Sequence, residues 1–281
     1  MVKRIILILV ILGVIFMIYR SQLLYRQYKS HALEGIEGTN NIKDTIITKK
    51  DIEHLPEPVQ NYLKYVGVLG TERVKNYKVT IDGSMKTDKE RDWANVEVKQ
   101  HSFTDEITRL FFMKLKMFGI PVVGLHSYIN ENASMLIKVL GLVPVVDGQG
   151  KEMNQGETVT VFNDMCILAP ATLIDKRIEW ESIDSLTAKA KFTNGDIKIS
   201  ATLYFNEKGQ LINFVSDDRF YSPTGKTYEK VRWSTPVSDY KNINGFNLAT
   251  YGEAIWNFPN EDFTYIKLNI KDVRYNVEEL K

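Results

Sequence analysis

The sequence has a single cysteine, Cys166, so no disulfide closes within the chain and its stability must come from a packed core. Its four histidines, His31, His54, His101 and His126, are scattered with no ligand spacing between them. Neither a metal site nor any cofactor is expected. The sequence contains no HExxH, P-loop, GxSxG or CxxC motif. Basic residues are not in excess: 36 Lys and Arg stand against 35 Asp and Glu. Acidic residues are missing altogether from 1–29, which hold Lys3, Arg4, Arg20, Arg26 and Lys29, so the remaining chain is slightly acidic. Such a body lacks the basic face that nucleic-acid binding requires.

What is present begins with an apolar run, Ile5 to Tyr19, followed by Arg20-Ser21-Gln22-Leu23-Leu24-Tyr25. Fifteen helical residues cover about 22 Å of a ~30 Å hydrocarbon layer, so a span needs residues 20–25 as well, with Arg20 reaching for the interface. No small-x-small cleavage site follows the run, which favours an uncleaved signal-anchor over a secretory leader. Residues 1–29 are therefore expected to be a transmembrane anchor contacting the bilayer through 5–25. Residues 30–50 read as a polar linker, and 51–281 as one β-rich domain. Positive charges flank the run almost evenly, and an extracytoplasmic domain is the favoured orientation.

The folded part opens with a helix. Val59, Tyr62, Leu63 and Val66 repeat at helical spacing, with Pro56 and Pro58 at the start and Gly67 at the stop. The period then changes to two. Leu186, Ala188, Ala190 and Phe192 alternate with polar residues up to Asn194-Gly195, a hairpin signal, and Ile197, Ile199, Ala201, Leu203 and Phe205 return. Similar alternation predicts strands over 74–86, 94–103, 108–118, 121–130, 134–143, 211–219, 246–256 and 263–275. A helix is predicted over 154–168, with Asn154 as N-cap and Glu157 at the third position, ending before Pro170. No βαβ alternation occurs. The expected class is mainly β (α+β): a large curved antiparallel sheet or incomplete barrel of about ten strands, with two or three helices packed against it.

Strands wetted on one side alternate cleanly. Those between 108 and 143 do not. Phe111, Met113, Leu115 and Met117 lie opposite Leu110 and Phe112, and Met135, Ile137 and Val139 lie opposite Leu136 and Leu140. One face can pack on a helix. The other must meet a second layer, a partner, the bilayer or an apolar ligand. Beside a membrane tether, a hydrophobic groove lined by Phe111, Met113, Leu115, Met117, His126, Met135, Ile137 and Val139 is the expected ligand site. The methionines would let it adapt to the bound shape. An envelope scaffold or protein-interaction domain is the alternative. No catalytic residue is assigned. Cys166 reads as a small buried core residue, Glu157 and Asp164 as capping or solvated carboxylates sharing a helix face, and Asp217-Asp218-Arg219 as a structural ion pair at a strand end.

Three segments, Leu55–Val68 (LPEPVQNYLKYVGV), Leu140–Glu157 (LGLVPVVDGQGKEMNQGE) and Tyr251–Asn276 (YGEAIWNFPNEDFTYIKLNIKDVRYN), resemble a bacterial family classed only as a domain of unknown function. The resemblance extends over about residues 53–276. It implies a bacterial, membrane-associated, β-rich protein and brings no activity to carry over. At fold level, a curved sheet with helices is similar to the half-barrel of periplasmic lipoprotein carriers.

Overall fold

The computed structural model describes residues 2–280. After two N-terminal helices, α1 (Val2–Ser21) and α2 (Leu23–Thr39), come the short α3 (Lys49–Ile52) and α4 (Glu57–Val66). Six strands follow: β1 (Asn76–Met85), β2 (Ala94–Phe103), β3 (Thr108–Met117), β4 (Ile120–Ile129), β5 (Asn132–Val139) and β6 (Val143–Gln149). Helix α5 (Lys151–Leu168) and a 3-10 turn (Pro170–Ile174) lead to β7 (Ile178–Asp184), β8 (Thr187–Asn194), β9 (Ile197–Phe205) and β10 (Leu211–Ser216). The chain ends with β11 (Phe220–Tyr221), β12 (Glu229–Lys230), β13 (Arg232–Ile243), β14 (Phe246–Asn257) and β15 (Asp262–Tyr275).

Thirteen strands form one antiparallel sheet in the order β6-β5-β4-β3-β2-β1-β15-β14-β13-β10-β9-β8-β7. It is curved and open: β6 and β7 are its two edges, and α5 carries the chain from one edge to the other. β11 and β12 form a separate two-stranded ribbon. The five strands beyond the ten segments predicted above are those that alternation cannot reveal. β6 has exposed Val143 and Val145, β7 is an exposed edge, β11 and β12 are two residues each, and β13 carries Pro236 in mid-strand.

Helix α5 lies within the curve of the sheet, which explains its composition. Fourteen of its eighteen residues are buried, so it has no solvent face for its polar groups. These are satisfied inside instead. Thr158 and Thr160 donate to the carbonyls of Asn154 and Gly156, and Asn163 Nδ2 donates to Thr235 Oγ1 at 2.6 Å. The helix begins three residues before the predicted start. Asn154 is not its N-cap but accepts the Ala133 amide of β5, and Gly150 occupies the cap position. Helix α4 matches its predicted stripe: Val59, Tyr62, Leu63 and Val66 are buried, and Tyr62 donates to the Cys166 carbonyl.

The N-terminal run departs from expectation. It does not continue as one span through residue 25, because the helix breaks at Gln22 and restarts as α2. Among the described residues no helix is long and apolar enough to cross a membrane. Nor is the stretch after residue 30 a free linker. Leu24, Tyr28, Ala32 and Ile36 recur along one side of α2 and pack against Phe103, Leu110, Phe112, Val123 and Leu125 on the convex face of the sheet. Gly35 lies flat against the Phe103 ring, where any β-carbon would collide, which accounts for a glycine in mid-helix. Tyr28 Oη meets His101 Nδ1 at 2.7 Å. The doubly apolar strands thus have a second layer, supplied by a segment whose polar composition concealed its packing face.

Candidate functional site

With α2 covering the convex side, the inward faces of β3, β4 and β5 turn toward α5. The register places Phe111 opposite His126 and His126 opposite Met135, while Gly124 lies between Met113 and Ile137. Across the curve, Ile266, Leu268 and Ile270 of β15 and Trp256 of β14 complete the wall. Helix α5 fills one part of the concave face and leaves a cavity of about 300 Å³ along its side, lined by α5 residues from Glu152 to Leu168. This is the lower end of the usual ligand-pocket range.

The segment following β10 forms a roof. Phe220, Tyr221, Ser222, Pro223 and Tyr228 all line the cavity. Tyr221 meets Trp256 and Phe258 edge-on, at 5.5 and 5.2 Å between ring centres. The roof tip is seated on the edge strand by backbone-to-backbone contact: a β-carbon on Gly225 would lie 2.8 Å from the Gly148 Cα. Gly225 also has φ of +75°, so it is favoured there twice over.

Within these apolar walls lies one polar patch. Arg109, the single cation in the inward row of β3, donates through Nε to Asp164 at 2.6 Å and through Nη1 to Glu157 at 3.3 Å. Glu157 also faces Arg219 Nη2 at 3.5 Å and His126 Nδ1 at 3.9 Å. Gln100 Nε2 donates to Asp164 at 2.8 Å. The Arg109 guanidinium lies over Phe111, and that of Arg219 over Trp233 and Trp256, at 4.3 and 5.4 Å from the ring centres. Flat, weakly hydrated guanidinium groups suit such sites better than ammonium groups do.

Burial disfavours the Glu157 carboxylate, but Arg109, then His126 and Arg219, outweigh it and hold its pKa below the ordinary value. Burial also acts against the Arg109 charge, yet Asp164 and Glu157 raise its pKa above the usual one. Burial lowers His126 to about 4, with Arg109 and Arg219 adding to the effect and Glu157 opposing it. Burial, followed by Asp164, pushes the Cys166 thiol well above its normal range. Glu157 is thus held ionised, His126 neutral and Cys166 as the thiol, an arrangement suited to a fixed charge network and poorly suited to proton transfer or nucleophilic attack near neutrality. Among the described residues no three His, Cys, Asp or Glu side chains form a metal-holding group.

Of the eight residues expected to line the groove, Phe111, Met113, His126, Met135 and Ile137 do so. Leu115 is buried in the core next to them, and Met117 and Val139 pack on that core further along their strands, away from the cavity. Glu157 and Asp164 are neither caps nor solvated: both are buried and paired with Arg109. Asp217, Asp218 and Arg219 do form ion pairs: Asp217 with Arg232, Asp218 with Lys230 while it also accepts from Ser200, and Arg219 with Glu157 in the cavity wall. Arg109 is the residue that sequence reading missed despite a signal, since a lone arginine in an otherwise apolar inward row requires a buried counter-charge. The roof gave no such signal.

Residues 45–268 match the model of a family described as "Family of unknown function (DUF6544)". No curated protein matches the chain. Among solved structures, a LolA superfamily protein from Nitrosomonas europaea is similar at 9% identity and a TM-score of 0.41, over 77% of this chain and 93% of that one. A putative outer membrane lipoprotein-sorting protein domain from Vibrio parahaemolyticus shares 9% identity at a TM-score of 0.36, over 71% and 85% of the two chains. A DUF1329 family protein from Desulfovibrio piger shares 10% at 0.33, over 79% and 94%. Likeness at this level is one of broad architecture and carries no ligand across.

Proposed function

The chain belongs to the DUF6544 family of unknown function, and from its own cavity we propose that it binds a lipid or other apolar molecule between α5 and the concave face of the sheet. The observation that supports this reading is an apolar-walled space of about 300 Å³ between α5 and the concave face of the sheet. Close packing is the rule in protein interiors, and unfilled apolar volume costs stability. Met85, Met113, Met135 and Met153 contribute to the wall, and their unbranched side chains adjust to differently shaped guests.

The same reading places the protein at a bacterial cell membrane. In α1, Ile5, Leu9, Leu12 and Phe16 are exposed, and exposed apolar side chains of this kind are suited to contact with lipid. Since α2 restarts at Leu23 and docks on the sheet, the domain would sit directly against the surface in which α1 is seated, on the extracytoplasmic side. The scaffold alternative loses its motive, because the convex apolar face that would receive a partner is occupied by α2.

The test uses the full chain, kept soluble by an amphipathic polymer. Displacement of an apolar fluorophore by lipid extracts, with polymer alone as the blank, is expected to saturate at one site per chain. Native mass spectrometry is expected to show retained lipid mass. Absence of both saturable displacement and retained mass would overturn the proposal. Protease protection of α2 onward in intact cells, lost on permeabilisation, is the matching result for the extracytoplasmic placement, and full protection after outer-layer permeabilisation would refute it.

A further inference from the structure

Two hairpin turns at one end of the sheet carry residues that their backbone conformation disfavours. Among the described residues, four turns place two successive residues at positive φ. They are Phe118-Gly119 between β3 and β4, Asn130-Glu131 between β4 and β5, Leu140-Gly141 between β5 and β6, and Asn244-Gly245 between β13 and β14. That conformation favours asparagine or glycine at the first position, and two of the four comply. Phenylalanine and leucine are strained there. Burial does not offset the strain, since Phe118 is 80% exposed and Leu140 40%.

The two apolar turns are neighbours. Val122 lies opposite Val139, and the Leu140 amide donates to the Pro121 carbonyl at 2.8 Å. Ile120, Val143 and Val145 beside them are exposed as well. Both asparagine turns lie at the other end of the sheet. The apolar end is also the end at which α1 joins the domain. Gly35 of α2 lies on the Phe103 ring, and Tyr25 lies against Phe112 and Lys114, so the N-terminus of α2 points toward the turn holding Phe118. No Asp or Glu occurs in 107–130 or 132–146, whereas Lys114, Lys116 and Lys138 sit on the strands leading to the two turns. The cavity lining reaches this end too, through Met85 and Thr87. Exposed apolar turns behind which lysines are placed match acyl chains beneath anionic head groups.

Building on the membrane placement of α1, we propose that this end of the sheet is a membrane-docking surface. Phe118 and Leu140 enter the bilayer surface, with Lys116 and Lys138 at the level of anionic head groups.

The test uses the full chain in vesicles of phosphatidylcholine and phosphatidylglycerol. One thiol at a time is introduced by Phe118→Cys, Val143→Cys, Glu106→Cys or Gly13→Cys and labelled with a polarity-sensitive fluorophore. The wild type, whose Cys166 is buried, is the blank. Glu106 lies between β2 and β3 at the other end of the sheet, and Gly13 lies in α1. Nitroxide-bearing lipids are expected to quench the labels at 13, 118 and 143 and to spare the one at 106. Quenching at 13, with 118 and 143 no more quenched than 106, overturns the docking surface and leaves the placement of α1 standing. No quenching at any position overturns both. Blue-shifted emission at 118 without lipid quenching means that protein covers the turns, and it overturns the proposal as well. Phe118→Asn combined with Leu140→Asn restores the favoured turn residue, so it should raise the unfolding midpoint and reduce quenching at 143. A lower midpoint or unchanged quenching would show that the two side chains serve something other than the bilayer and would refute the proposal.

Discussion

Gly156 allows the cavity to be closed without damage to the fold. It lies in α5 and lines the cavity, and a β-carbon built on it meets nothing nearer than the Phe220 amide nitrogen at 4.0 Å. Leucine adds four carbons there. At about 30 Å³ each, the share of a water-sized group, these remove on the order of 100 Å³, a third of the cavity of about 300 Å³. A guest then loses contact for about three methylene groups at ~0.8 kcal/mol each, or roughly fifty-fold in affinity. Stability moves the other way. Glycine in a helix interior is about 0.8–1 kcal/mol worse than alanine, and leucine is nearly as good as alanine. The added side chain also buries apolar surface, so a gain of about 1–2 kcal/mol is expected, raising Tm by about 2–6 °C. The assays are calorimetric unfolding and fluorophore displacement on the same preparation. Gly156→Leu should be more stable and bind more weakly. Unchanged binding would show that this space is not where the ligand sits. Weaker binding together with a lower Tm would show that the open geometry around Gly156 is wrong.

Arg109→Met leaves Glu157 and Asp164 short of their shared cation and should cost about 3–5 kcal/mol in urea unfolding, whereas adding Asp164→Leu to it should restore part of the loss. Acid should destabilise the fold in a way that His126→Gln weakens. The unfolded chain takes up a proton at His126 near pH 6.5 but the folded one only near 4, so up to about 3 kcal/mol is lost as pH falls between these values. Glu157 acts in the same direction, because its depressed pKa contributes stability that disappears as pH falls through it. Unfolding midpoints measured across that range would reveal an unaltered slope if His126 contributes nothing. Removal of residues 1–22 should leave a monodisperse domain, since α2 stays on the sheet. Removal of 1–40 should produce aggregates by gel filtration, because Leu110, Phe112, Val123 and Leu125 lose their cover.

Legibility followed periodicity. The hairpin of β8 and β9 and the stripe of α4 are visible because one face of each is buried and the other wet, and period then reports structure. Helix α5 was visible as a helix but misread in detail. A helix enclosed on all sides has no polar face, so Glu157 and Asp164 resembled solvated residues when they are the anions of a buried network. Five of the eight residues expected in the groove were found from β3–β5 because an adjacent run of apolar strands is a local pattern. Arg219 and the roof come from the segment after β10, far away in sequence, and no local pattern links them to the groove, while Gln100, paired with Phe111 across β2 and β3, gives no apolar signal.

By itself, the chain's sequence determined that the fold is a large antiparallel sheet, that its stability depends on no disulfide, and that strands 108–143 need cover on both faces. These follow from composition and two-residue periodicity, which act within a single strand. Only the tertiary structure decided what provides the cover. α2 takes the convex face through four side chains spaced along an otherwise polar segment, a pattern too sparse to stand out in the sequence. α5 fills part of the concave face and leaves the rest open, because where a helix sits within a curved sheet depends on strands up to a hundred residues away in sequence. The charge balance of the cavity was decided at the same level, since Arg109, Glu157, Asp164 and Arg219 become one network only when β3, α5 and the roof are brought together.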